Sequence, residues 1–345
     1  MKSSGFPLSP AGKASLLGRL FKPALGVAVA LAAASAVAAA PTSMKIGTVV
    51  WIGYGPFYVA DALDLYKKYN LKVSLQVFND PALIPSAMAS GAVDGAMLTY
   101  DQVVGQAASG KRQKVVMPID YSNGGDAIVA DSSITKVSDF KGKKVGFNPL
   151  SPSDFLLSYA LKTNGMTDKD ITAVNMTPEA VPAAMASGQM PIGVTYEPSL
   201  SQILGQGGGK KFKVVYSSKN APGLIADVLV FDDQAIKTRP AEITGIMKAY
   251  LDGLAYMKAK PEESAKIIGK FMGVTPKEVK EQLAGVYNIP LAEMPKAFVK
   301  AKETTSYYAS GDVIGQLLKA KGQITTVPPI ETTFDAQFVS ALAKK

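Results

Sequence analysis

The chain has 345 residues, 47% hydrophobic and 19% charged, with a formal net charge of +9 and neither cysteine nor histidine. That is material for one large globular domain or two of ordinary size. The two missing residue types exclude disulfides, thiolate chemistry, Cys-ligated metals and a Ser-His-Asp hydrolase. They also disfavour a zinc enzyme, so no cofactor and no metal site are expected.

Four of the positive charges (Lys2, Lys13, Arg19, Lys22) lie in the first 40 residues, where no acid occurs; without them 33 basic residues face 28 acidic ones, a net +5. The remaining lysines scatter around turns, as in Lys141, Lys143, Lys144 and Lys210, Lys211, Lys213. No basic stripe interleaved with aromatics is present, so no nucleic-acid partner is expected.

The basic stretch 1–22 is followed at 24–38 by 15 uncharged residues and by Ala36-Val37-Ala38, a small-x-small site. This is the layout of a secretory signal peptide over 1–38, removed on export to the periplasm. A cut after Ala40 would leave Pro41 at the new terminus, so cleavage after Ala38 is favoured. The run is short for a membrane span, the arrangement an uncleaved anchor would need. With no Cys after it, a lipid anchor is excluded.

In chain order, 44–50 (M-K-I-G-T-V-V) reads as the first strand, and Trp51-Ile52-Gly53-Tyr54-Gly55-Pro56 as an aromatic, Gly-rich loop. Residues 57–69 have helical spacing and Asn70 suits the residue just past a helix end. A strand at 71–78, a helix at 101–109 stopped by Gly110, and strands at 113–121 and 127–130 follow. The pattern restarts at 145–147 with a strand, a Ser/Pro turn, a helix at 154–162 and a strand at 171–176. Strands at 213–217 and 225–231 come next, then amphipathic helices at 240–258, 261–272 and 276–286 and around 295–320.

One stretch occurs twice. Residues 81–101 read P-A-L-I-P-S-A-M-A-S-G-A-V-D-G-A-M-L-T-Y-D, and 178–197 read P-E-A-V-P-A-A-M-A-S-G-Q-M-P-I-G-V-T-Y-E. Each predicts a short helix, a glycine stop, a buried strand and a Tyr-acid pair at the strand end. Two copies are too few for a solenoid and point to two similar lobes. Alternating strands and helices with short connections predict an α/β fold with mainly parallel sheets. The chain should cross between lobes near 130 and near 225, which assigns 39–130 plus 226–345 to lobe 1 and 131–225 to lobe 2.

Three segments carry a family resemblance. Trp51-Ile52-Gly53-Tyr54-Gly55-Pro56-Phe57-Tyr58-Val59-Ala60 resembles the first strand-loop-helix of periplasmic binding proteins of the nitrate/sulfonate/taurine type (SsuA/THI5-like, NMT1-like). Asp139-Phe140-Lys141-Gly142-Lys143-Lys144-Val145-Gly146 is similar to that family's lead-in to the second lobe, and Thr195-Tyr196-Glu197-Pro198 to its aromatic-Glu-Pro turn. The resemblance implies a type II two-lobed fold with two inter-lobe crossovers and a helical C-terminal region. It implies a monomeric receptor that closes on a small solute and docks on an ABC permease in the inner membrane. The family also holds iron-dependent pyrimidine synthases that rely on histidine, which this chain lacks. A partner of a membrane sensor would use the same closure.

Ligands of open α/β sheets lie at the carboxyl ends of strands. That nominates Trp51, Gly53, Tyr54, Thr99, Tyr100, Asp101, Asp120, Tyr121, Ser122, Asn123, Asp126 and Asp227, with Asn148, Ser151, Ser153, Tyr196 and Glu197 from the second lobe. Plainer roles are open to them. Trp51 and Tyr54 could be core aromatics, Asp101, Ser151 and Ser153 helix caps, and Glu197 a first-turn acid. Asp120, Asp126 and Asp227 could hold hinge amides. The two Tyr-acid ends, Tyr100-Asp101 and Tyr196-Glu197, are expected to face each other across the cleft. Acids outnumber bases at these strand ends and no Arg is among them. That favours an amine-bearing or heterocyclic organic solute over a small inorganic anion.

Overall fold

The computed structural model describes residues 40–344. The signal-peptide segment and its cleavage site lie outside the described residues.

The strands are β1 (Thr42–Thr48), β2 (Leu71–Val77), β3 (Gly95–Thr99), β4 (Gln113–Ser122), β5 (Asp126–Asp131), β6 (Lys144–Phe147), β7 (Thr172–Asn175), β8 (Ile192–Tyr196), β9 (Phe212–Ser217), β10 (Ala226–Asp232) and β11 (Val286–Asn288). The helices are α1 (Gly55–Ala62), α2 (Ile84–Ala89), α3 (Tyr100–Ala108), α4 (Pro152–Thr163), α5 (Val181–Ala186), α6 (Ser199–Leu204), α7 (Asp233–Thr238), α8 (Pro240–Ala259), α9 (Pro261–Met272), α10 (Pro276–Leu283), α11 (Tyr307–Ala320) and α12 (Gln337–Ala343).

They build two sheets. The first has the order β11-β4-β10-β3-β1-β2 and the second β7-β6-β8-β5-β9. One copy of the repeat serves each sheet. Its strands, β3 and β8, are buried along their whole length. In both copies the short helix ends at a glycine with positive φ, Gly91 at 73° and Gly188 at 78°, the conformation that favours glycine. Helices α8 and α9 pack on α1, α10 on β11, α11 on α3 and α12 on β4, so the helical C-terminal region covers the first sheet.

Three expectations change. The sheets are mixed rather than mainly parallel: β1 is parallel to β2 and β3, and β6 to β7 and β8, whereas β10 and β5 are antiparallel to both their neighbours. The cause is the crossing itself. Strands that end at the cleft run towards it, and a strand arriving from the other sheet starts at the cleft and must run away. Second, the first crossing lies at 123–125 rather than near 130. Strand β5 follows β4 at once and pairs with β8 and β9, which moves the segment 127–130 out of the first sheet. The return falls between β9 and β10, within 218–225. Third, the helical pattern at 57–69 is two pieces. Helix α1 stops at Ala62, Asp64 adopts φ 55°, and a short 3-10 turn covers Leu65–Tyr69 before Asn70 at φ 54°.

Candidate functional site

The end of β1 leads into the 51–54 loop, whose backbone is tied down from several sides. The Trp51 amide donates to the Tyr58 hydroxyl at 3.1 Å, and Asn288 Nδ2 donates to the Gly53 carbonyl at 2.7 Å. Trp51 Nε1 donates to both carboxylate oxygens of Asp120, at 3.3 and 3.4 Å. Gly53 is what allows that pairing: a Cβ there would stand 2.2 Å from Asp120 Oδ2 and 2.3 Å from Trp51 Nε1. The Tyr54 hydroxyl donates to Asp227 Oδ1 at 2.5 Å.

Asp120 and Asp227 are partners across β4 and β10, and both are buried. Burial raises the pKa of each well above the usual carboxylate range, and for Asp227 the neighbouring Asp120 charge adds to it. Two adjacent buried carboxyls cannot both ionise, so the pair titrates as a unit. Asp126, the first residue of β5, is pushed up to about 7 by burial, against the Ser122 hydroxyl, which favours its charged form.

Trp51, Tyr54, Thr99 and Asp227 from the first lobe and Asp126, Pro152 and Tyr196 from the second line one cavity between the sheets. The Trp51 and Tyr196 rings meet edge to face across it, with centroids 5.9 Å apart. The Tyr196 hydroxyl is buried without a hydrogen-bond partner. Among the described residues no lysine or arginine lines this cavity. An aromatic slot flanked by carboxylates can hold a flat or compact group that donates hydrogen bonds or carries positive charge.

A family model described as NMT1/THI5 like matches residues 51–264. The chain belongs to the NMT1/THI5-like family. Among this family member's relatives, a putative thiamine biosynthesis protein of Haemophilus influenzae is 27% identical over 69% of this chain and 76% of its own length. The taurine-binding periplasmic protein of Escherichia coli K12 is 23% identical over 84% of this chain and 88% of its own. The crystal structure of the periplasmic aliphatic sulphonate binding protein SsuA from Escherichia coli superimposes with a TM-score of 0.69 at 20% identity. It covers 86% of this chain and 98% of that one. The two-lobed periplasmic binding protein fold expected from the sequence is therefore the fold of this family member.

The remaining predicted site residues go elsewhere. Tyr100 points away from the first cavity: its hydroxyl is 2.7 Å from Thr333 Oγ1 and its ring packs on Tyr307. Glu197 accepts from the Ser201 amide and hydroxyl, at 3.0 and 2.8 Å, and serves the first turn of α6. The facing Tyr-acid pairs are thus not formed; of those four side chains only Tyr196 lines the first cavity. The two copies share their local structure, but Tyr100 is covered by α11 and the segment after it, which have no counterpart over the second sheet. Asp101 lines a second cavity, with Ser151. Ser151 caps α4, accepting from the Ser153 amide at 3.2 Å. Asn148 and Ser153 lie nearby, buried, with Asn148 Oδ1 and Ser153 Oγ unpartnered. Tyr121 donates to the Thr305 carbonyl at 2.8 Å. Ser122 and Asn123 belong to the crossing, where Ser122 Oγ is 2.8 Å from Ser218 Oγ and the Asn123 amide donates to the Gly285 carbonyl at 2.8 Å.

Val49, Pro81, Ile84, Met97, Leu98 and Pro152 line the first cavity too, and apolar walls carry no distinctive residue type in sequence; Gln102, inside α3 rather than at a strand end, also lines it. The two carboxylates do carry a signal, a second and shorter repeat. Asp126-Ala-Ile-Val-Ala-Asp131 and Asp227-Val-Leu-Val-Phe-Asp232 lie in the two crossing strands, each with an acid at its first or second residue.

Proposed function

We propose that this chain is an extracytoplasmic solute-binding receptor that captures a small amine-bearing or cationic organic solute and delivers it to an ABC importer. The observation that carries the reading is the inter-lobe cavity. Asp227 and Asp126, one at the start of each crossing strand, face it together with Trp51 and Tyr196, and no basic side chain lines it among the described residues. An anion there would find no counter-charge. A cation draws these carboxyls, which burial otherwise holds towards their protonated form, into the charged form and gains charge-assisted hydrogen bonds.

A cleft walled from both lobes also accounts for receptor behaviour. Contacts to both walls form only when the lobes are closed, so the solute stabilises the closed form by its differential affinity. A relative named for taurine binding in the periplasm supports the receptor class and, with the sequence of 1–38, the export reading. A relative named for thiamine biosynthesis makes aminopyrimidines one candidate class. The histidine-dependent synthase reading is not favoured, because the chain has no histidine.

A thermal-shift panel of amines, aminopyrimidines, taurine, alkanesulfonates and nitrate tests this. Amines or aminopyrimidines are expected to raise the melting temperature. A saturating ligand at about 100 times its Kd adds about 2.7 kcal/mol. A panel in which only sulfonates or nitrate shift the melt would falsify the amine reading.

A further inference from the structure

A second cavity adjoins the first, and Gln102 lines both. Gln102 is the partition. Its Nε2 donates to the Pro81 carbonyl at 3.0 Å in its own lobe and to the Leu150 carbonyl at 3.4 Å in the other. Beyond it, the charged side chains lining the second cavity among the described residues are Asp101 and Asp154. Asp154 is already neutralised. Lys321 pairs with it, and Gln323 Nε2 donates to its Oδ2 at 2.8 Å.

Asp101 has no such partner. It is 5% exposed, it lines the cavity, and its Oδ1 is buried and accepts no hydrogen bond. Leaving a buried carboxylate oxygen unpaired is costly, and a group bound in the cavity that this oxygen lines would satisfy it. Asp101 and Asp126 are also close enough for the charge of the first to act on the second.

We infer that Asp101 is a second acidic subsite, and that the solute is an elongated dication. One ammonium or amidinium end meets Asp126 and Asp227 beside Trp51, and the other passes Gln102 to reach Asp101. This inference rests on the amine reading of the first cavity and narrows it from amines in general to compounds with two separated cationic ends. Closure is part of it, since the second cavity is bounded by α3 from one lobe and the start of α4 from the other. A two-ended solute therefore ties the lobes at two places.

Trp51 is the only tryptophan of the chain, so its fluorescence reports occupancy of the first cavity. Titrations with butylamine and pentylamine against putrescine and cadaverine measure the value of the second end. The diamines are expected to bind at least about tenfold tighter than the monoamines, as one charge-assisted hydrogen bond warrants. Asp101→Asn keeps the shape of this first-turn residue while removing its charge, and it should bring that ratio close to one. A melting curve of the variant verifies that it is folded. Equal affinities of mono- and diamines for the unaltered protein, or an unchanged ratio in Asp101→Asn, would overturn the second subsite and leave the amine reading standing. If no amine moves Trp51 fluorescence, both fall together.

Discussion

Asp120 and Asp227 stand opposite each other on neighbouring strands, with Trp51 Nε1 and the Tyr54 hydroxyl as their side-chain donors. Burial makes the protonated form the comfortable one for this pair, for Asp126 at about 7 and for Asp101 at about 6. The direction of the consequence follows from proton counting. The folded chain binds these protons more tightly than the unfolded chain, so their contribution is complete below the ordinary carboxylate pKa and is lost as pH rises through the folded values. The ligand-free protein should therefore lose several degrees of melting temperature between about pH 5 and pH 8. Asp227→Asn, by removing one of the two facing charges, should flatten that slope. A melting temperature that is constant or rises over this interval would contradict the assignment. The acids held low by hydrogen bonds, Asp131, Asp139, Asp170 and Glu278, act at lower pH and do not mask it. Singling out these carboxylates from sequence was possible because they sit at strand ends; ranking them was not. Asp120, Asp126 and Asp227 converge, whereas Glu197 caps a helix, and nothing local separates those fates.

The C-terminal helices show how much of an element is written locally. Helices α8, α9 and α10 each open with proline at the first position, Pro240, Pro261 and Pro276, and α9 ends at Gly273 with φ 72°. Proline has no amide to leave unpaired there and glycine accepts the left-handed turn, so these boundaries are legible from residue types alone. How two helices approach is not. Gly253 in α8 lies so close to α1 that a Cβ would stand 2.1 Å from the Pro56 carbonyl oxygen. Gly253→Ala gains helix propensity in isolation but must push α8 off α1. A net loss of about 1–3 kcal/mol is expected from such overpacking, read as a lower urea midpoint with an unchanged slope. A stabilised variant would show that the approach is looser than the structure has it.

Across the whole molecule, Lys321 is the cation that joins the two lobes beside the second cavity. It lies just after α11, which packs on the first lobe. Its ammonium reaches Asp154 and Ser158 in α4 of the second lobe, with Ser158 Oγ at 2.7 Å. Removing one partner of a buried pair costs about 3–5 kcal/mol when the other stays buried. Here the cleft can open instead and return Asp154 to water. Lys321→Met is therefore expected to give a larger radius of gyration in small-angle scattering of the ligand-free protein, and weaker solute binding without touching the first cavity. An unchanged scattering profile and affinity would mean that the pair does not hold the lobes together.

The sequence by itself determined the class of fold, the duplicated helix-strand unit, the helix boundaries set by proline and glycine, and the absence of histidine and cysteine chemistry. All of these are read from residue identity or from spacing over a few positions. The tertiary structure alone decided which sheet β5 joins, that Tyr100 turns away while Tyr196 faces the cleft, and that Asp126 and Asp227 meet around one cavity. Strand pairing and side-chain company depend on residues a hundred positions away. An acid at a strand end therefore becomes part of a site only once the strand returning from the other lobe has been laid beside it.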